Sequence, residues 1–181
     1  MERNPARCVL QSVSNVRLIR HRLPLELAEK GGYSSYTPDN DPTGVASTLT
    51  LPPGGEIGKL EVELEIDHTW VGDLIVELEH PNGTTVRLVN LPNCSGENID
   101  TVLDDDAALS IQDDCQDDDP AYPAARYRPA NVLSGFNNLP VGGTWTLTVS
   151  DNAPADTGVL RRWCLVPTTA SGEIFSDRFE Q

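Results

Sequence analysis

The sequence predicts an all-β chain folded as a jelly-roll or Greek-key antiparallel β-sandwich. Three observations carry that expectation. From Val45 onward the apolar residues recur at every second position, the period of a strand with one face buried. Glycine and proline contribute 14 residues each, a composition of many turns between short elements. No amphipathic helical pattern separates the alternating segments, so two packed antiparallel sheets are the architecture that buries their apolar faces. At 181 residues the chain suits one domain, since a single core takes roughly 100 to 200 residues.

Residues 1–35 read as a weakly structured leader or linker, polar and studded with arginine, with a weak helical pattern over residues 9–20. A composition change falls near Gly31-Gly32. The next clear strand is Lys59 to Asp67, where Leu60, Val62, Leu64 and Ile66 form one face and Glu61, Glu63 and Glu65 the other. Asp73 to His80 alternates in the same way. Pro81-Asn82-Gly83 then joins it to Thr84 to Leu91 with the strongest short hairpin signal available. Asn82-Gly83-Thr84 also fits a glycosylation acceptor, but a tight Asn-Gly turn accounts for it without a sugar. A short turn near Asp104 to Leu109 is the second weak helical candidate. Thr144 to Ser150 points Trp145, Leu147 and Val149 inward, Asp151 to Thr157 is turn material, and Gly158 to Pro167 is the closing strand. The sandwich is expected over residues 36–168, with a tail over 169–181.

Charge excludes several partners. Twenty-eight acidic residues against 13 basic give a net charge of −15. Phosphate and anionic bilayers are repelled, and the counterion-release component of nucleic-acid affinity is missing, so neither nucleic acid nor a membrane surface is an expected partner. The apolar runs are a few residues long, whereas a spanning helix needs about 20. The charge is uneven, because residues 1–32 carry a net positive charge and the remainder is the more acidic for it. Ten carboxylates and no cation lie between Glu97 and Asp119. Such a density is either dispersed in water, neutralised by protonation or screened by a bound cation.

Four cysteines (Cys8, Cys94, Cys115 and Cys164) show no C-x-x-C pairing of a zinc or thioredoxin-type site. Cys94 and Cys115 bracket the acidic segment and are expected to form a disulfide. Cys164 could pair with Cys8, although four cysteines allow three connectivities. A disulfide implies an oxidising, extracellular or periplasmic setting. The leader lacks the apolar stretch of a signal peptide, so the chain is expected to lack its natural beginning.

Catalysis finds little support. His21, His68 and His80 are the only imidazoles, and there is no G-x-S-x-G nucleophile elbow. A triad of His68 with Asp67, Asp73 and Ser150 has no support in spacing. The three tryptophans sit in or beside strand patterns, where core packing is their expected role. No phosphate-cradling glycine loop occurs. Cation binding is the one site chemistry the residues favour. Calcium takes six to eight oxygens, and the dense Asp104-Asp105-Asp106 run inside the disulfide-bracketed loop supplies carboxylates, with Asp105 and Asp106 the first candidates. Asp151 with Asp156 is a further candidate pair, and Asp39 to Gly44 begins like an EF-hand loop but has Thr50 at its twelfth position.

Several strings together resemble one family. His68-Thr-Trp-Val-Gly-Asp-Leu-Ile-Val-Glu-Leu-Glu-His-Pro-Asn-Gly-Thr84 is similar to a hairpin of the P domain, or Homo B domain, that follows the catalytic domain in kexin- and furin-type subtilisin-like convertases. Gly143-Thr-Trp-Thr-Leu-Thr-Val-Ser-Asp-Asn152 and Gly158-Val-Leu-Arg-Arg-Trp-Cys-Leu165 resemble its closing pair of strands. Asp105-Asp106-Ala107, Tyr127-Arg128-Pro129 and Leu133-Ser-Gly-Phe136 are similar to segments of bacterial versions. The likeness covers about Tyr36 to Thr168. It implies a jelly-roll fold without catalytic residues, which packs against and stabilises a neighbouring subtilisin-like protease or other exported enzyme and tunes its calcium and pH dependence. The protease itself has no room in the first 35 residues. A free-standing adhesion or carbohydrate-binding module is the competing expectation, and exposure of Trp70 among other rings would favour it.

Overall fold

In the computed structural model, residues 35–123 and 125–170 are described. Among them nine strands run β1 (Ser35–Thr37), β2 (Asp41–Leu51), β3 (Ile57–His68), β4 (Leu74–Glu79), β5 (Thr85–Asn90), β6 (Ile99–Leu103), β7 (Arg126–Tyr127), β8 (Gly143–Asp151) and β9 (Gly158–Thr169). They form a five-stranded sheet in the order β1-β9-β3-β6-β7 and a four-stranded sheet in the order β2-β8-β4-β5. The fold is the all-β sandwich that the periodicity predicts. One pairing departs from the antiparallel expectation: the two residues of β7 join β6 in parallel.

The core lies between the sheets because the period-two pattern sends alternate side chains inward. Leu60, Val62, Leu64 and Ile66 of β3 are buried and face Leu74, Val76 and Leu78 of β4 with Trp145, Leu147 and Val149 of β8. Trp145 is wholly buried because its Nε1–H donates to the Val141 carbonyl at 3.0 Å, which satisfies its one polar atom. Its ring packs edge-on against Phe136 at 5.1 Å and His80 at 4.6 Å.

The predicted hairpin is β4–β5. The His80 N–H donates to the Thr84 carbonyl and the Gly83 N–H to the His80 carbonyl, each at 2.8 Å, and Gly83 supplies the left-handed backbone that the turn requires, at φ 89°. The short turn expected near Asp104 to Leu109 is a turn closed by Ala107 N–H to Asp104 O at 3.0 Å. Short 3-10 turns occur at Val71–Asp73 and Leu133–Phe136. The leader with its 9–20 pattern, Cys8, His21 and the tail from residue 171 lie outside the described residues.

Candidate functional site

The acidic run after β6 turns back over the outer face of the larger sheet. There Lys59 and Glu61 stand on the outward phase of β3, and Arg126 lies on β7, two strands away. Asp104 is nearly buried, with its two oxygens 2.8 Å from Lys59 Nζ and 2.8 Å from Arg126 Nη1. Asp106 is exposed and accepts from the same Lys59 Nζ at 2.7 Å. Arg126 also reaches Glu61 at 2.9 Å. Burial pushes the Asp104 carboxyl up, but the Lys59 hydrogen bond and the Asp106 N–H outweigh it and hold the group below the usual carboxylate range. The Asp104 and Asp106 hydrogen bonds push Lys59 well above its ordinary value in turn.

Asp105 points elsewhere. Its oxygens accept the N–H groups of Leu133 at 2.7 Å and Ser134 at 2.8 Å, which start the second 3-10 turn. The three aspartates therefore do not gather around one point. Asp104 and Asp106 clasp an ammonium, where the sequence placed a calcium ion, and Asp105 anchors a loop. As arranged, all of these carboxylate oxygens except Asp106 Oδ1 accept from protein donors, so a calcium ion would have to compete with those donors. Lys59 was the residue that sequence reasoning missed. It is one of only two lysines, and it shares the outward phase of Glu61, Glu63 and Glu65.

The disulfide expectation is met in the structure, which bonds Cys94 to Cys115 with a Cα–Cα distance of 5.7 Å. Hydrogen bonds within this loop and to the residues just after it add to the bridge. Ser95 donates N–H and Oγ–H to Asp117 Oδ1 at 3.0 and 2.6 Å, Ser110 donates to Asp113 and Asp114 at 2.8 and 2.7 Å, and Asn98 donates to Asp119 at 2.9 Å. The pairing of Cys164 with Cys8 involves a residue outside those described.

At one end of the sandwich, His68 ends β3 and Asp151 ends β8. Both side chains are fully buried, with Nε2 and Oδ2 3.4 Å apart. His68 Nδ1 lies 2.9 Å from the Trp70 carbonyl. His80 is equally enclosed, Nδ1 against Asn82 Oδ1 and Nε2 against the Pro140 carbonyl, each at 2.8 Å. Neither described imidazole is open to a substrate. Asp73 lies near the first pair, and burial, with the charges of Asp151 and Asp156, raises its carboxyl above the ordinary range against the opposing pull of His68. Asp39 also reaches this end, through Ala155 N–H at 3.0 Å.

A cleft of about 170 Å³ opens beside His68, between Tyr36, Asp67, Asn98 and Thr157. That is below the roughly 300 Å³ where small-molecule pockets begin. Of the tryptophans, Trp145 is core, Trp163 is half-buried with Nε1–H donating to Ser47 Oγ at 2.9 Å, and Trp70 is 43% exposed. Packing thus accounts for two of the three. The ring pairs among the described residues involve His80, Phe136, Trp145, Tyr122 and Tyr127, and not Trp70.

A two-sheet sandwich with a tryptophan-centred core, a pinned acidic loop and enclosed histidines defines a non-helical β-module of the jelly-roll class. The chain belongs to the proprotein convertase P-domain family, which it matches over residues 57–167. It is 31% identical over 124 residues to a calcium-dependent protease of a Nostoc species, covering 68% of this chain and 16% of that protein. It is 28% identical over 128 residues to leupeptin-inactivating enzyme 1 of Streptomyces exfoliatus, covering 70% of this chain and 23% of that one. The chain thus spans less than a quarter of the length of either relative. Among solved structures, the serine protease of Aeromonas sobria in complex with its chaperone is similar at a TM-score of 0.45 and 17% identity, covering 79% of this chain and 26% of that one.

Proposed function

We propose that this chain is a non-catalytic, secreted β-sandwich module that stabilises or positions a neighbouring subtilisin-like serine protease or another exported enzyme. The observation that carries the reading is the burial of His68 and His80, whose ring nitrogens face protein acceptors, so that no described imidazole is available as a general base. Membership of a protease-associated family supplies the partner class, and the Cys94–Cys115 bond supports an oxidising compartment. The test compares a subtilisin-like catalytic domain with and without this module fused behind it. A higher melting temperature of the fusion's protease domain, with no peptidase or esterase turnover by the purified module alone, is the expected result. Turnover that co-purifies with the homogeneous module through orthogonal separations overturns the reading.

Calcium linkage forms the second part of the proposal, motivated by the name of the Nostoc relative. In this chain an ion at Asp104 and Asp106 has to displace the Lys59 ammonium, and Asp105 joins as a ligand only by releasing the N–H groups of Leu133 and Ser134. The adhesion or carbohydrate-binding reading draws on two exposed rings, Tyr36 and Trp70. Retardation of the chain in a polysaccharide gel, lost on Trp70→Ala, would favour it.

A further inference from the structure

A β-sheet edge presents unpaired N–H and C=O groups, and folded proteins shorten, cover or charge their edges. Three of the four edges here are managed in that way. β7 has two residues, and β1 covers β9 only over residues 158–160, beyond which Arg161 and Arg162 charge that edge. β5 is flanked by a loop whose Ala130 and Asn131 N–H groups donate to Leu88 and Arg87 carbonyls at 2.8 and 2.9 Å. The remaining edge, β2, is 11 residues long and pairs only with β8 among the described strands. Residues 42–55, which hold all of β2 but its first residue Asp41, carry no charged side chain, although 23% of the chain is charged. Its bulge and prolines lie toward its two ends and leave Val45 to Leu51 bare, a template for another strand.

We propose that two copies of this chain pair through β2, antiparallel across a two-fold axis at Thr48, to make a continuous eight-stranded sheet. The register is read from β2 itself. An irregularity between Asp41 and Val45 breaks the ladder, Gly44 sits there at φ 67° with its backbone against Val149, and Pro52-Pro53 ends the strand. The regular run is therefore Val45–Leu51, and its middle residue is Thr48. Full antiparallel overlap sets Thr48 opposite the partner's Thr48 and Ala46 opposite the partner's Thr50 on the exposed face. On the core face it sets Val45 opposite the partner's Leu51. Threonine pairs suit adjacent strands, and Thr50 already bonds Thr144 across β8 at 3.0 Å.

The net charge of −15 opposes self-association, but its geometry leaves this strip free. On that face the first carboxylates are Glu77 and Glu79 of β4, two strands in, about 10 Å from β2. That distance is about one Debye length at physiological salt. Antiparallel pairing also carries the two Asp41 side chains to opposite ends of the interface. One seven-residue edge makes a small contact, in the weak and transient class of interface.

The test is sedimentation velocity on the full chain at physiological salt, from about 5 μM to about 1 mM, with a dimer appearing in the upper decade. Thr48→Lys should abolish the dimer, because it sets two ammonium groups face to face, even though it makes each chain one unit less negative and would ease any general repulsion. Thr48→Cys should oxidise to a covalent dimer. Thr50→Cys should not, because its two copies stand about 13 Å apart along the strands. Circular dichroism melts confirm that each variant folds. A monomer throughout the range, a dimer indifferent to Thr48→Lys, or equal cross-linking at both positions overturns the proposal. So does a monomer whose β2 amides are protected from hydrogen exchange, since another segment would then cover the edge.

Discussion

Replacing Lys59 with methionine keeps the aliphatic length of the side chain and removes the ammonium that Asp104 and Asp106 share. The loss lies between two limits. Exposed ion pairs contribute under about 1 kcal/mol, whereas breaking a buried pair costs about 3–5 kcal/mol. The Lys59 side chain is 38% exposed and the Asp104 side chain 7%, so one partner belongs to each limit. Asp104 also keeps Arg126 and the Asp106 N–H. A loss of about 2 kcal/mol follows, or about 6–8 °C in melting temperature for a domain of this size. The pH dependence has a definite sign. Asp104 is held below its unfolded value of about 3.9, so its contribution is present above that value and is lost as pH falls through the folded one. The gap between wild type and Lys59→Met should thus be full at neutral pH and close on acidification. Calcium supplies a second readout: with the ammonium gone, millimolar Ca²⁺ should raise the melting point of the variant more than that of the wild type. Melting curves in which Lys59→Met equals wild type at pH 7 would refute the clasp, and an equal calcium response in both proteins would place any ion elsewhere.

Three further outcomes follow from the same geometry. Asp73→Asn should stabilise at neutral pH and do nothing at pH 3, because burial and the neighbouring Asp151 and Asp156 disfavour the charged form in the folded state; a lower melting point at pH 7 would show instead that the Asp73 charge is needed. Gly158→Ala should cost about 1–3 kcal/mol, since its Cβ would collide with the His68 ring and the Asp67 carbonyl; urea midpoints measure it, and an unchanged midpoint counts against the packing described. Reduction of Cys94–Cys115, separated by 21 positions, should cost roughly 3 kcal/mol in the chain-entropy account. Alkylation without reductant should leave both residues unlabelled, and labelling of both would remove the disulfide.

The large alternating strands were legible because burial on one face leaves a period of two in the sequence, which β4 shows throughout, β3 from Leu60 onward and β8 from Trp145 to Val149. The β4–β5 turn was legible for a different reason: Asn82-Gly83 is local chemistry that needs no tertiary partner. β1 and β7, three and two residues long, are too short to show a period. They exist because β9 and β6 offer them an edge. Trp70 shows a limit of pattern reading, for a tryptophan beside a strand reads as core, yet its position before a 3-10 turn carries the ring out toward solvent.

The acidic run shows where composition stops being informative about a site. Counting carboxylates from Glu97 to Asp119 finds no cation in that interval, and a metal ion is then the natural guess for what balances them. Two members of the run, Asp104 and Asp106, find cations among residues distant in sequence. Lys59 lies 47 positions before Asp106, and Arg126 lies 22 positions after Asp104. Both arrive because β3, β6 and β7 are neighbours in one sheet. Strand order, which periodicity does not encode, decides which charges meet. The same holds for His68 and Asp151, brought together from different sheets where β3 and β8 end. A sequence thus displays which charges need partners, while the sheet order that supplies them is settled by the packing of the apolar face behind.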